Sequence, residues 1–492
     1  MMMNSATQAD AASGFQFEGT MSKEVLRSFA SRAITHQGLC VVGTSPDPIF
    51  AEDLRMVCNM GAKYIGRAAF YSWSGNIVAE QIDTHYRIAK ERAAAVHAVD
   101  PEIILQAGIF EIAYEQTVNN TVIPAPVFEL FGAPPEKRTF RYLNMVFPTG
   151  TRDVLYGMDS GIGCWGNPSS GVPDITQLET KMYFYHCITR YIDAGYEAFH
   201  MGQAEKMMRY QGNAYAHHWD AVLAPARAYA KTHARRGIAL FDNHDAVDSA
   251  GIMIDDRLLF DIQGAGMVPD ETVQEDGVQK CRLKHYDECR ISWIGRSGGG
   301  IHPLGFKMEV NFTIIELDNY GRSSRIPPGV ATPQDFYNWG YDDVTWFALQ
   351  PEWYRNQFLQ ECDAYLCNTA KILDSAGKQQ YFLQPVCRRV VTAHPTMLYK
   401  PSPNCDRDAV FRYLKGEKTE VAANGDGSYT LTVKGDYRSN TQSDSCPNGF
   451  NQEDTIRKIF LGRAAHPAGS ARPNCSNPST RAPSGAGGLT GR

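Results

Sequence analysis

Apolar residues fall along this chain in short unbroken runs, and several of the runs end in acidic or amide side chains. Leu240-Phe241 leads into Asp242-Asn243-His244-Asp245, and Thr313-Ile314-Ile315 leads into Glu316-Leu317-Asp318-Asn319. Ala198-Phe199-His200-Met201 precedes Gly202-Gln203-Ala204-Glu205, Leu259-Phe260 precedes Asp261, and Ile103-Ile104-Leu105-Gln106 continues to Phe110-Glu111. A strand buried on both faces reads as such a continuous run, with its polar residues gathered at one mouth of the sheet. Eight runs are read as strands, at 38–44, 64–72, 102–112, 197–205, 237–243, 258–264, 311–318 and 381–387.

Segments with helical spacing lie between them. Ser22 is placed to cap a helix reaching toward Ala33, and 50–60 and 79–99 follow, the latter stopped by Pro101. Asp174 and Gln177 form a capping-box pattern ahead of Met182, Tyr185, Ile188 and Ile192, and 217–236 and 341–366 supply two more helices. The interval 246–257 is too short to show one. This alternation predicts an α/β chain of parallel strands with right-handed crossovers. Eight units close into a (β/α)8 TIM barrel, with an open doubly wound sheet as the alternative. Insertions at 113–173 and 265–307 follow strands three and six, which would stand both on the catalytic face. The domain reading is a flexible leader at 1–21, the barrel at 22–400, a C-terminal extension at 401–466 and a flexible Pro-, Gly- and Ser-rich tail at 467–492. The extension holds a β-hairpin at 418–434, turning at Asn424-Gly425-Asp426-Gly427, and a helix at 454–464.

Composition narrows the function classes. The 492 residues are 43% hydrophobic and 21% charged, enough apolar material for a large core. A net charge of -6 supplies no basic excess for nucleic acid. No apolar run is long enough to cross a membrane, and the first residues lack the basic and apolar regions of a secretory signal. Of 12 cysteines, Cys40, Cys58, Cys187 and Cys387 sit in apolar periodic segments as buried thiols. Cys281, Cys289, Cys405, Cys446 and Cys475 lie in loop-like sequence that suits disulfides, so an extracellular location stays open, as does oligomeric state.

The acidic run ends carry the candidate chemistry. Glu205 ends strand four and Glu316 ends strand seven, positions that face one another across a barrel mouth. Two opposed carboxylates can protonate a glycosidic oxygen and attack the sugar or activate water. The arrangement resembles the retaining (β/α)8 glycoside hydrolases, which carry the acid/base on strand four and the nucleophile on strand seven. By that resemblance Glu205 is the acid/base, Glu316 is the nucleophile, the substrate is an oligo- or polysaccharide, and no cofactor is needed. That group has Asn directly before the strand-four Glu, where this chain has Ala204. Asp242-Asn243-His244-Asp245 is also similar to a stretch of the α-amylase family. The strand-four segment, however, has His200 and Gly202 where that family needs Arg and Asp, and the stretch falls near strand five.

Substrate-binding candidates are the polar residues Glu111, Gln203, Asp242, His244, Asp245 and Asp318, with Tyr71, Trp73, Trp165, Trp293 and Tyr320 as aromatic faces for pyranose rings. Trp339, after strand seven, belongs to the same aromatic set. A second reading takes His200, Asp242, His244 and Asp261 as ligands of a divalent metal in a barrel hydrolase or isomerase. A third is a barrel without catalysis that binds carbohydrate or serves assembly. Gly295-Arg296-Ser297-Gly298-Gly299-Gly300 lacks the ending of a phosphate loop, and there is no Gly-x-Ser-x-Gly elbow.

Overall fold

The computed structural model describes residues 14–40, 50–70, 79–152, 160–164, 167–208, 212–244, 251–266, 298–317, 343–348, 352–368, 373–399 and 429–465, with short pieces at 269–270, 274–275, 278–279, 282–283 and 420–423. Ser22 caps helix α1 (Lys23–Ala30), its hydroxyl accepting from the Val25 amide at 3.2 Å. Seven strands then follow in order: β1 (Ala33–His36), β2 (Tyr64–Ala69), β3 (Ile104–Gly108), β4 (Ala198–His200), β5 (Leu240–His244), β6 (Ile262–Gly266) and β7 (Phe312–Glu316). Each pairs in parallel with the next, and β8 (Tyr381–Leu383) pairs in parallel with β7.

The chain crosses from β8 to β9 (Val386–Tyr399) through Gln384-Pro385, and the two segments serve different neighbours. Gln384 N–H donates to the Ile315 carbonyl on β7, while Thr35 N–H on β1 donates to the Pro385 carbonyl. Val386 and Arg388 are then in parallel register with Thr35 and His36. The sheet is therefore curled, and the chain passing from β8 through Pro385 into β9 lies against β7 first and β1 next. Beyond Arg388, β9 runs on as one edge of an antiparallel extension with β11 (Tyr429–Arg438), which pairs with β10 (Glu420–Ala423). This is the predicted hairpin.

Two apolar layers explain the curl. Ala33, Tyr64, Ile104, Ala198, Leu240, Ile262, Phe312 and Phe382 come from eight different strands and pack in one buried cluster. Leu26, Phe29 and Ala30 of α1 close that cluster at the strands' N-terminal end, with Phe15 and Phe17 edge-on to Phe29 at 5.2 and 5.7 Å. Alternate residues Ile34, Ile65, Leu105, Phe199, Phe241 and Ile315 face outward. They pack against α2 (Phe50–Met60), α3 (Ala79–Val99), α4 (Glu115–Asn120), α5 (Ala125–Leu130), α6 (Leu178–Asp193), α7 (Ala216–His233), α8 (Asp343–Ala348) and α9 (Glu352–Asn368). Helix α10 (Glu453–Ala465) lies between α9 and α2: Arg463 donates to Asp363 at 2.8 Å, and Arg55 donates to Glu453 at 2.8 and 2.9 Å. The C-terminal extension is further fixed where Arg438 donates to buried Asp53 at 2.6 Å. Burial opposes the charge on Asp53, but His36 and Arg438 hold it down at about 2. His36 is itself pushed down by burial, so Arg438 is the dependable counter-charge.

Three expectations change. The first strand is Ala33–His36 instead of 38–44, because Gly38 turns the chain at φ +78 just after it. The second insertion does not stay on one face. Leu304, Phe306 and Met308 pack with the apolar cluster at the strands' N-terminal end, since the chain must descend there to enter β7. Cys446 is a buried free thiol, and Cys281, Cys289, Cys405 and Cys475 lie outside the described residues.

Candidate functional site

At the C-terminal ends of the strands the inward-facing residues turn polar. Tyr64 belongs to the apolar floor, and its hydroxyl accepts from Gln106 Nε2 at 2.9 Å. The same amide donates to Asp242 Oδ1 at 2.6 Å, while Asp242 Oδ2 meets His200 Nδ1 at 2.8 Å. Asp242 is fully enclosed, and burial raises its carboxyl to about 8, His244 opposing the rise and Glu316 adding to it. Burial likewise pushes His200 well below the usual imidazole range. Gln106, His200 and Asp242 thus form an uncharged polar layer just above the floor.

The charged layer sits above it. Glu316 is the last residue of β7 and is 4% exposed. Arg67 donates to its Oε1 at 2.8 Å, His244 Nε2 lies 3.3 Å from the same oxygen, and Thr35 donates to Oε2 at 2.5 Å. Arg67 adopts φ +55, a left-handed backbone that costs a bulky residue about 1–2 kcal/mol. Its amide leaves the strand ladder and donates to the Gln106 side chain at 2.9 Å, where the register between β2 and β3 shifts. This local distortion gives the guanidinium its aim at Glu316. Gly264 provides space for His244, since a Cβ there would lie 2.5 Å from the imidazole Cδ2.

Glu205 lies beyond β4, on the turn that continues into a short 3-10 segment at Lys206–Met208, and is 7% exposed. Trp219 of α7 donates to the neighbouring Ala204 carbonyl at 3.3 Å. Glu111, after β3, accepts from the Gln203 amide at 3.2 Å. Gln203 itself is half-buried. Phe110 stands between the two layers, its ring 5.4 Å from His200, 5.9 Å from the Arg67 guanidinium and 5.7 Å from Phe70.

The structure therefore gathers Glu316, His244, His200 and Asp242 into one contact network, but with divided duties. Asp242 has both oxygens engaged below the mouth, so the expectation that it binds sugar hydroxyls is replaced by a supporting role. Asp261 leaves the proposed metal set. It precedes β6 and accepts from the Phe241 amide and from Arg227, both at 2.8 Å, level with Phe241 and below His244. Among the described residues no group of three or more His, Cys, Asp or Glu side chains converges to hold a metal. Tyr71, Trp73, Trp165, Asp245, Trp293, Asp318, Tyr320 and Trp339 lie outside the described residues.

Thr35, Arg67, Gln106, Phe70 and Phe110 were not expected at the site. Arg67 does carry a signal: a lone cation inside Tyr64-Ile65-Gly66-Arg67-Ala68-Ala69 must find an anion if the strand is buried. Thr35 carries none, because its segment reads as the end of a helix.

No family model matches the chain, and no curated protein sequence does either. Among solved structures, a debranching enzyme from Nostoc punctiforme aligns at 12% identity and TM-score 0.27 over 48% of this chain and 50% of that one. A type III pullulan hydrolase from Thermococcus kodakarensis aligns at 11% identity and TM-score 0.24, over 45% of this chain and 44% of that one. Ttha1563 from Thermus thermophilus aligns at 10% identity and TM-score 0.40, over 89% and 82%. This chain thus spans about half the length of the first of these structures. At such values the alignments decide neither fold nor chemistry, and the functional reading rests on the site.

Proposed function

We propose that this protein is a closed (β/α)8-barrel glycoside hydrolase of the retaining type, acting on an oligo- or polysaccharide. The observation that carries the reading is the Arg67–Glu316 contact at the mouth end of β7, with Thr35 and His244 completing the carboxylate's surroundings. A cation at 2.8 Å favours the ionised carboxylate, which is the form a nucleophile needs and a proton donor cannot use. Closure of the barrel is supported by the continuous passage of the chain from β8, paired with β7, through Gln384-Pro385 into β9, paired with β1, and by the cluster drawn from all eight strands.

In this reading Glu205 is the acid/base. It is 7% exposed, and its role is to give a proton to the glycosidic oxygen first. Glu316 attacks the anomeric carbon as the glycosidic bond breaks, and the leaving oxygen takes the Glu205 proton. Glu205 then removes a proton from water, which displaces the sugar from Glu316 and restores both groups. Half-buried Phe70, packed on the buried Phe110 ring, offers an apolar face to a sugar, and half-buried Gln203 offers an amide to a hydroxyl.

A panel of polysaccharides and aryl glycosides tests the activity, and the anomer first released, read by NMR, tests retention. Glu316→Gln should abolish turnover of every substrate. Glu205→Gln should abolish turnover of unactivated glycosides while sparing 2,4-dinitrophenyl glycosides, whose leaving group needs no proton. A structure with an inhibitor bound should place the two carboxyls roughly 5–5.5 Å apart. A separation well beyond 10 Å, or a Glu205→Gln enzyme with full activity on an unactivated glycoside, would falsify the assignment.

A further inference from the structure

The turn carrying Glu205 is held by a contact that the catalytic reading does not require. Beyond β3, Ile109 N–H donates to the His200 carbonyl at 2.9 Å, keeping the end of β3 tied to the end of β4. Phe110 then takes φ +58, a backbone that a bulky residue adopts only when its surroundings impose it. The reversal sends Glu111 toward β4, where its Oε2 accepts from the Gln203 amide at 3.2 Å.

Gly202 is built around that carboxylate. It has φ +66, and a Cβ at this position would overlap Glu111 Oε2, at 1.8 Å, and crowd the Glu111 amide at 2.9 Å. Both the backbone angle and the occupied space demand glycine. The Gly202 carbonyl accepts from the His244 amide at 2.7 Å and from the Ala204 amide at 3.0 Å. Residue 202 is therefore where the ends of β3, β4 and β5 meet, and three residues later the chain presents Glu205. Glu111 is 6% exposed, so its carboxylate was withdrawn from water to make this contact. A surface carboxylate bound for substrate would gain nothing from a glycine cut to its shape.

We infer that Glu111 is a positioning residue: seated in the space left by Gly202, it holds the 202–205 turn so that Glu205 is aimed into the mouth. The inference rests on the reading of Glu205 as the acid/base, but the clamp itself is a structural claim that can be read without activity. It also replaces the expectation that Glu111 binds substrate.

The experiment compares the full chain with Glu111→Ala, Glu111→Gln and Gly202→Ala, each first checked for an unchanged far-UV spectrum. Hydrogen exchange resolved over 202–208 reads the clamp. Glu111→Ala should speed exchange of the Gln203 amide by about tenfold or more, the loss of one buried hydrogen bond. Glu111→Gln keeps an acceptor and should restore most of the protection, and Gly202→Ala, which expels the carboxylate, should behave like Glu111→Ala. Turnover of phenyl and 2,4-dinitrophenyl glycosides reads the consequence. Glu111→Ala should lose kcat on the phenyl substrates at least about tenfold more than on the dinitrophenyl ones, because only the former need the Glu205 proton. Unchanged exchange at 203 in Glu111→Ala overturns the clamp. So does an equal loss on both substrates when Glu205→Gln itself discriminates between them. If Glu205→Gln shows no discrimination, the acid/base assignment fails instead, and the exchange result still decides whether the clamp exists.

Discussion

Asp242→Asn probes the uncharged layer beneath the mouth, and the structure sets the size of the effect. Burial raises the Asp242 carboxyl from 3.8 to about 8, and burial lowers His200 well below 6.5. The folded pair therefore holds a single proton across the neutral range. In the unfolded chain Asp titrates at its ordinary 3.8 and His at its ordinary 6.5. Between those values both states hold one proton, on Asp242 when folded and on His200 when unfolded, so the pair adds no slope. Above 6.5 the unfolded chain has lost its proton while the folded chain keeps one up to about 8, and stability falls as pH rises. The separation between 6.5 and 8, taken over the complete titration at about 1.36 kcal/mol per pH unit, amounts to about 2 kcal/mol. The other strongly buried imidazoles do not enter this window. His85, His97 and His186 are lowered to about 3, 4 and 4 by burial, so above 6.5 they are neutral in both states.

Asn keeps the shape of Asp and an oxygen for Gln106, but it has no proton to lose. Because both pH values are half-titration points, urea unfolding at pH 6.5 and pH 8 should show the parent losing about 1.3 kcal/mol of that step, with constant m-value, and Asp242→Asn losing nothing beyond the common background. A parent whose stability is flat over this range, or a variant with the same decline, would mean that Asp242 is ionised when folded. The layered account of the mouth would then be wrong.

Further outcomes follow from neighbouring contacts. Arg67→Met leaves a buried carboxylate without its cation, so kcat/KM should fall about 10²- to 10³-fold, and the acid limb of its pH profile should move upward as Glu316 becomes easier to protonate. Arg67→Lys should recover part of the rate by keeping the charge, though a shorter group cannot repeat the guanidinium's fit. Phe29→Ala opens a cavity under the strands' N-terminal ends and should cost about 3–5 kcal/mol in urea unfolding while leaving kcat unchanged below the transition, because the plug and the mouth lie at opposite ends of the strands.

The runs of apolar residues gave away the strands they end, because a strand buried on both faces has no polar side to confuse the pattern. Tyr64–Ala69, Leu240–His244 and Phe312–Glu316 lie within or close to the expected segments. The first strand was hidden because Ala33-Ile34-Thr35-His36 is short and continues directly from an amphipathic helix. The Leu39-Cys40-Val41-Val42 run beside it is the more apolar of the two. Glu316 was legible as an acid at the end of a run. What surrounds it was not, since Thr35, Arg67 and His244 come to β7 from three other strands, up to 281 residues away in the chain. Periodicity also cannot tell an acid in the inner polar layer from one that serves the backbone below it. Asp242 and Asp261 look alike as run-ending carboxylates, yet one lies in the polar layer and the other pins the start of β6.

The distribution of backbone strain and small residues bears on whether this mouth is a working site or only the open end of a scaffold. Described non-glycine residues with positive φ are Arg67, Phe110, Asp255 and Asn451, and two of them flank Glu316's network. Each costs about 1–2 kcal/mol and persists only where neighbours enforce it. Glycine at 66, 202 and 264 clears space of the kind a side chain would fill, for Gln384, Glu111 and His244 respectively. A barrel kept for its shape alone would be more stable with apolar residues in place of a buried Arg–Glu pair, because replacing such pairs is often neutral or stabilising. Here the strained Arg67, the space at Gly264 that admits His244, and the desolvated Arg67–Glu316 pair all meet at Glu316 Oε1. The stability given up around this carboxylate is what the proposed chemistry at Glu316 accounts for and a scaffold that only binds does not.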